Sequence, residues 1–260
     1  MKLERMIEMG MSFQHIRNAT SVLIVNGKKI LIDPMLSDPG ELPPVPFTRT
    51  LRRNPLTPLP VPLDFFEDMD AILLTHRHFD HLDKKALSIL NKKLPVFCQP
   101  EDQAFLQTAG FMHVHAIQQS NEWCGIEMKR IKGQHAPGFA AKLLGPVSGY
   151  IVSAAEAGSI YIVGDCIYTP AIKETFLKYQ PNIAILNTPR AQMLLGTIIT
   201  MTAEDILRLA DLSPTTRFIA VHMDAISHCT FKRQHLRSFL KERGLEQVAI
   251  VPDDGEVMDL

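Results

Sequence analysis

The stretch Thr75-His76-Arg77-His78-Phe79-Asp80-His81 constrains this chain more than any other. It packs three imidazoles and a carboxylate into six residues, directly after the apolar run Ala71-Ile72-Leu73-Leu74. The run is short and uncharged, so it reads as a buried strand whose end delivers the cluster. Residues two apart on an extended chain point the same way. That spacing aims His76 and His78 together and adds Asp80 if the chain stays extended, while His81 points elsewhere, as a second ion requires. Imidazole with carboxylate suits zinc, manganese or iron better than calcium or a thiolate-preferring ion. A solvated histidine-rich loop is the bland alternative, and the preceding apolar strand weighs against it.

His76-x-His78-x-Asp80-His81 resembles the hallmark of the metallo-β-lactamase superfamily. Other positions of that pattern follow in order: His135 in Gly133-Gln134-His135, Asp165 in Tyr161-Ile162-Val163-Gly164-Asp165, and His222 in Ile219-Ala220-Val221-His222. The openings Ile16-Arg17-Asn18-Ala19-Thr20 and Lys28-Lys29-Ile30-Leu31-Ile32-Asp33-Pro34 look most like the subgroup of the bacterial ascorbate-6-phosphate lactonase. The resemblance spans nearly the whole chain. It implies one domain, an α/β fold of the αββα four-layer sandwich type, with half-domains roughly 1–148 and 149–260 and the site at a sheet edge between them.

The same resemblance implies one ion held by His76, His78 and His135, and a second held by Asp80, His81 and His222, with Asp165 bridging. One or two divalent ions are expected, zinc or manganese first and iron next. Such an ion lowers the pKa of water toward ~7 and so supplies a nucleophile at neutral pH. Asp80 is either a ligand or, beside a single ion, the general base. Asp33, at the end of a strand, reads equally as a turn residue or as a partner orienting a ligand. His228 is an extra histidine that either serves the reaction or caps the following helix. Tyr168 and Arg190 are candidate substrate contacts, with helix packing and solvent exposure as their plain readings.

These features favour a metal-dependent hydrolase acting on a small ester, lactone or phosphodiester, a phosphorylated sugar lactone if the subgroup extends to substrate. A nuclease-type phosphodiesterase and a non-catalytic metal sensor are the alternatives. A di-iron redox enzyme is disfavoured, since His78 stands where that class has a carboxylate. The expected partner is a small molecule, anionic on the subgroup reading; the subgroup also hints at a homo-oligomer.

Composition narrows the rest. A net charge of −1 gives no bulk field to recruit nucleic acid or an anionic membrane. The four cysteines lack a Cys-x-x-Cys pair and read as the reduced thiols of a cytoplasmic protein. Met1 to Gly10 shows no signal-peptide core, and no apolar stretch approaches the ~20 residues that span a bilayer. Residues 34–62 hold half of the eighteen prolines and form either a flap over the pocket or a tethered surface loop. Along the chain, Asn26-Gly27 marks a tight hairpin, Asp83 and Thr202 cap helices, Trp123 to Ile131 reads as one strand, and Val248 to Val251 as the last strand.

Overall fold

The computed structural model describes residues 10–260 apart from Glu156; the expectation about a leader at Met1 to Gly10 falls almost wholly outside them. Two seven-stranded sheets face each other. In spatial order the first is β14 (Val257–Asp259), β1 (Ser12–Arg17), β2 (Thr20–Val25), β3 (Lys28–Ile32), β4 (Ala71–Leu74), β5 (Pro95–Cys98) and β6 (His113–Ala116). The second is β13 (Ala249–Ile250), β12 (Arg217–Val221), β11 (Ile183–Asn187), β10 (Gly158–Ile162), β9 (Ser148–Ala154), β8 (Ile126–Lys132) and β7 (Ser120–Trp123). Pairing runs parallel from β3 to β6 and from β10 to β13.

Alternation on β4 shows why four consecutive apolar residues are needed. Ala71 and Leu73 enter the core between the sheets, beside Phe13, Ile32, Ile162 and Val221. Ile72 and Leu74 pack outward against α1 (Lys84–Ile89) and α2 (Gln103–Thr108), through Ala86 and Leu106. The second sheet does likewise, with Tyr161, Ala184 and Phe218 turned toward α4 (Pro170–Tyr179), α5 (Ala203–Leu212) and α6 (Arg233–Lys241). A strand covered on both faces reads as a continuous apolar run. The result is the expected four-layer αββα sandwich.

Local signals hold where the chemistry is local. Asn26 and Gly27 both adopt positive φ, at 49° and 68°, as a tight hairpin demands. Asp83 accepts from the Ala86 amide at 2.7 Å, and Thr202 with Asp205 forms a reciprocal capping box. Trp123 to Ile131 is two strands instead of one, because Cys124 and Gly125 take positive φ and close a hairpin between β7 and β8. Several elements escape the sequence reading, among them the 3-10 helix Leu63–Asp68. The short helix α3 (Ala140–Leu144) lies beside the site, and β14 follows Val248 to Val251 to join the first sheet against β1.

The chain changes sheet between β6 and β7, well before residue 148, and β14 then returns to the first sheet. Strand pairing decides that boundary, and the hydrophobic pattern carries no record of it. Among the described residues no helix is long and apolar enough to cross a membrane.

Candidate metal centre

The strand ends converge on one spot. Asp33 follows β3, His76 to His81 follow β4, His135 follows β8, Asp165 follows β10 and His222 follows β12. The metal loop is not extended as its spacing suggested: the amides of His81 and Leu82 both donate to the His78 carbonyl at 2.8 Å. A turn therefore brings Asp80 and His81 back toward the cluster, and the strand alternation does not aim them. Gly164 makes the close approach possible at φ 70°, where a Cβ would sit 3.2 Å from the Ser148 carbonyl oxygen and 3.3 Å from Thr75 Cβ.

Among the described residues three donor sets form: His76, His78 and His135; His76, His81 and Asp165; and Asp80, His81 and His222, with the donor atoms of each within 4.8 Å of one another. Nearly all of these side chains are buried. Each imidazole spends its outer nitrogen on the surrounding protein. His78 Nε2 donates to the Leu144 carbonyl at 2.8 Å, His135 Nδ1 to the Ile199 carbonyl at 2.7 Å, and His81 Nδ1 to Asp33 at 2.8 Å. Thr75 Oγ1 donates to Asp33 at 2.6 Å and so accepts from His76 Nδ1 at 3.1 Å. His222 Nδ1 meets Cys229 Sγ at 3.6 Å.

The inner nitrogens consequently turn lone pairs toward a common centre. His76 Nε2 and His78 Nδ1 are 3.0 Å apart, and His81 Nε2 and His222 Nε2 3.1 Å. Asp165 lies between the sets, 3.4 Å from His81, 3.5 Å from His135 and 3.5 Å from His222. Tetrahedral zinc with ligands at ~2.1 Å separates neighbouring donors by ~3.4 Å. The cluster therefore fits a divalent cation.

The electrostatics point the same way. Burial alone raises the Asp80 and Asp165 carboxyls, but His222 and His81 outweigh it and hold both well below the usual range. Burial likewise lowers His81 and His222, yet the carboxylates win. Asp165 and Asp33 raise His81 to about 10, and Asp165 with Asp80 raises His222 well above its ordinary value. Burial and neighbouring imidazoles lower His76 and His78. Without a cation, protons on His81 and His222 balance the carboxylates, and a cation can replace those protons.

Asp33 thus touches both halves of the cluster, directly through His81 and through Thr75 to His76, and it also turns the chain at a positive φ of 46°, so both readings of it describe what it does. His228 is buried, makes no side-chain hydrogen bond, and leaves Nδ1 without a partner among the described residues. It is not a helix cap, because α6 begins at Arg233 after Lys232. Burial pushes its imidazole down to about 4. Cys166 donates to the Val163 carbonyl at 3.2 Å and stands outside the donor sets.

A cavity of about 210 Å³ opens over the cluster, its polar lining made by His78, Asp80, His135, Asp165 and His228. Val45, Pro46, Phe47, Phe79, Leu143, Leu144, Met193 and Ile199 supply the apolar lining. The proline-rich segment is therefore a wall of the pocket, stitched down by Leu56 N to the Ala225 carbonyl and by Ser227 N to Asn54 Oδ1. Tyr168 and Arg190 do not line this cavity. They border a separate cleft with Arg208, Glu204 and Phe231, because Arg190 turns through a positive φ of 48° after β11 and is exposed.

Several contributors carry no signal of their own in sequence. Asn187 Nδ2 donates to Asp165 at 2.7 Å, and Asn18 Nδ2 to the Asp80 carbonyl at 2.9 Å. Asn187 follows the strand-end rule that located the ligands; Asn18 stands in one of the openings that carry the subgroup resemblance, without a role assigned to it there.

Residues 28–223 match the Beta-lactamase superfamily domain family. UPF0173 protein YddR of Bacillus subtilis is 36% identical over 253 residues, which cover 95% of this chain and 98% of that protein. A possible metal-dependent hydrolase from Veillonella parvula superposes with a TM-score of 0.93 at 34% identity, covering 96% of this chain and 99% of the other. An isothiocyanate hydrolase from Delia radicum gut bacteria superposes with a TM-score of 0.92 at 34% identity, with the same coverage.

Proposed function

This chain belongs to the metallo-β-lactamase superfamily, in the UPF0173 group of metal-dependent hydrolases, and from that premise we propose that it hydrolyses small uncharged electrophiles, organic isothiocyanates first among them. The observation that carries the reading is the cavity lining. Among the described residues it holds no lysine or arginine, and apart from His228 every polar residue in it belongs to the donor sets. A phosphorylated sugar or a phosphodiester calls for cationic donors to its phosphate oxygens. Within this cavity an anionic substrate of the kind the lactonase subgroup implies would meet only the bound ions as counter-charge, with no side-chain cation beside them among the described residues. One of the similar structures is named an isothiocyanate hydrolase; an isothiocyanate is a neutral electrophile, and the apolar part of the lining suits its substituent.

In this reading His76, His78 and His135 would hold one divalent ion, and Asp80, His81 and His222 would hold a second, with Asp165 available as a further donor. The mixture of imidazoles and carboxylates suits zinc, manganese or iron. When bound, such ions lower the pKa of water toward ~7 and polarise an electrophile. The chain's own groups do the rest. Asp33, Thr75 and Asn187 fix the donors in place. In this reading His228, whose Nδ1 has no hydrogen-bond partner among the described residues, relays a proton from the attacking water to the substrate nitrogen. Water adds to the central carbon of R–N=C=S, the C=N electrons move to nitrogen, and the resulting thiocarbamate breaks its C–N bond. The products are R–NH2 and carbonyl sulfide, so atoms balance with one water consumed.

The test is turnover of benzyl isothiocyanate by the metal-loaded protein, read as benzylamine by mass spectrometry. Chelation abolishes it, and His228→Ala lowers kcat by roughly 10²–10⁴-fold at unchanged metal content. Hydrolysis of lactones or phosphodiesters by the loaded protein, with no amine released from the isothiocyanate, would overturn the proposal.

A further inference from the structure

Large apolar side chains stand bare around the mouth of the cavity. Phe47 is 72% exposed and Leu143 64%, and Phe139 and Leu194 are exposed nearby in sequence. One exposed leucine needs no explanation, but a group of them does. The wall they belong to is also held in place. Phe47 adopts φ 59°, a strained conformation for an aromatic residue. Its carbonyl accepts from the Leu194 amide at 2.7 Å, and Arg49 Nε donates to the Leu194 carbonyl at 3.1 Å. The proline-rich wall is thereby tied to the loop that carries Met193. Leu143, which lines the same cavity, precedes Leu144, whose carbonyl orients His78. Backbone strain held by specific contacts gathers at functional sites.

We propose that Phe47, Leu143 and Met193 form a subsite for the substrate's N-substituent, which selects aryl and alkyl chains over hydroxylated ones. The inference rests on the reading of the cavity as a hydrolytic site. The cavity is lined by donors and His228 together with hydrocarbon side chains. An electrophilic carbon held at the donors leaves its substituent among the apolar residues that make up the rest of the lining. None of the apolar lining residues carries a side-chain hydrogen-bonding group, so a sugar hydroxyl loses its water without replacement. The occupant is argued from continuity: this wall and the donors line the same cavity.

The experiment uses metal-loaded protein and straight-chain hydroxamic acids from acetyl to octanoyl as probes, with affinity measured by calorimetry. Kd falls about three- to fourfold per methylene until the cavity is filled. Phe47→Ser and Leu143→Ser flatten that ladder below about twofold per methylene, while Leu195→Ser, at an exposed residue outside the lining, preserves it. A flat ladder in the unaltered protein overturns the subsite. So does a concentration-dependent dimer broken by Phe47→Ser, which would assign the rim to a second copy of the chain. Benzyl isothiocyanate turnover is read separately: a steep ladder without turnover refutes the reaction and keeps the subsite, and turnover with a flat ladder does the reverse.

Discussion

Asp33→Asn offers the sharpest probe of the centre, since one carboxylate serves both donor groups. Asp33 accepts from Thr75 N at 2.8 Å, Thr75 Oγ1 at 2.6 Å and His81 Nδ1 at 2.8 Å. An asparagine of the same shape keeps one acceptor for the Thr75 amide. It sets an NH2 group against the other two donors. Two charge-assisted hydrogen bonds are lost, each worth about 1.5–3 kcal/mol. His81 loses its orienting partner in one donor set, and His76 loses the fixed Thr75 hydroxyl in the other. Loss of such outer partners lowers metal affinity by roughly 10–100-fold, and here the loss falls on both sets. The metal-free protein is weakened as well, because Asp33 helps hold the His81 imidazolium. The His81 contribution to stability is fully present below its unfolded pKa of about 6.5. It is lost as pH rises through about 10. Competition with a chromophoric chelator, together with thermal melts of both forms at pH 7 and pH 10, measures these effects. Wild-type affinity in Asp33→Asn, with an unchanged melt at pH 7, would refute the relay from Asp33 to both sets.

Three further outcomes follow from the same geometry. Metal added to the metal-free protein at pH 7.5, in weak buffer (a pH of roughly the intracellular range), releases protons as His81 and His222 give up theirs, and affinity rises with pH; calorimetry in buffers of different ionisation enthalpy that finds no release contradicts the charge balance drawn here. Asp80→Ala removes one donor of the His81–His222 group and none from the His76–His78–His135 set, so elemental analysis should fall from two ions per chain toward one; an unchanged content of one ion makes Asp80 a base beside a single ion. Gly164→Ala forces a side chain into φ 70° beside Ser148 and Thr75, costing about 1–2 kcal/mol from conformation alone, and a thermal melt indistinguishable from the unaltered protein would show that the strand end can shift.

Local chemistry was legible in the sequence. Apolar runs such as Ala71 to Leu74 declared strands buried on both faces. Asn26-Gly27 declared its hairpin, and Asp83 and Thr202 declared their helix starts, because each depends on neighbours within a few residues. The histidines and aspartates declared a metal centre because few other arrangements place so many donors after one strand. What tertiary structure alone decided is which groups meet across the fold. Asp33 reaches His76 through Thr75, the carbonyls of Leu144 and Ile199 fix two imidazole tautomers, and Cys229 faces His222. Backbone carbonyls carry no residue identity, so no motif can announce them. The same holds for the pocket: Phe47, Leu143 and Met193 lie on three distant segments, and only the folded chain closes them into one wall while leaving Tyr168 and Arg190 in a different cleft.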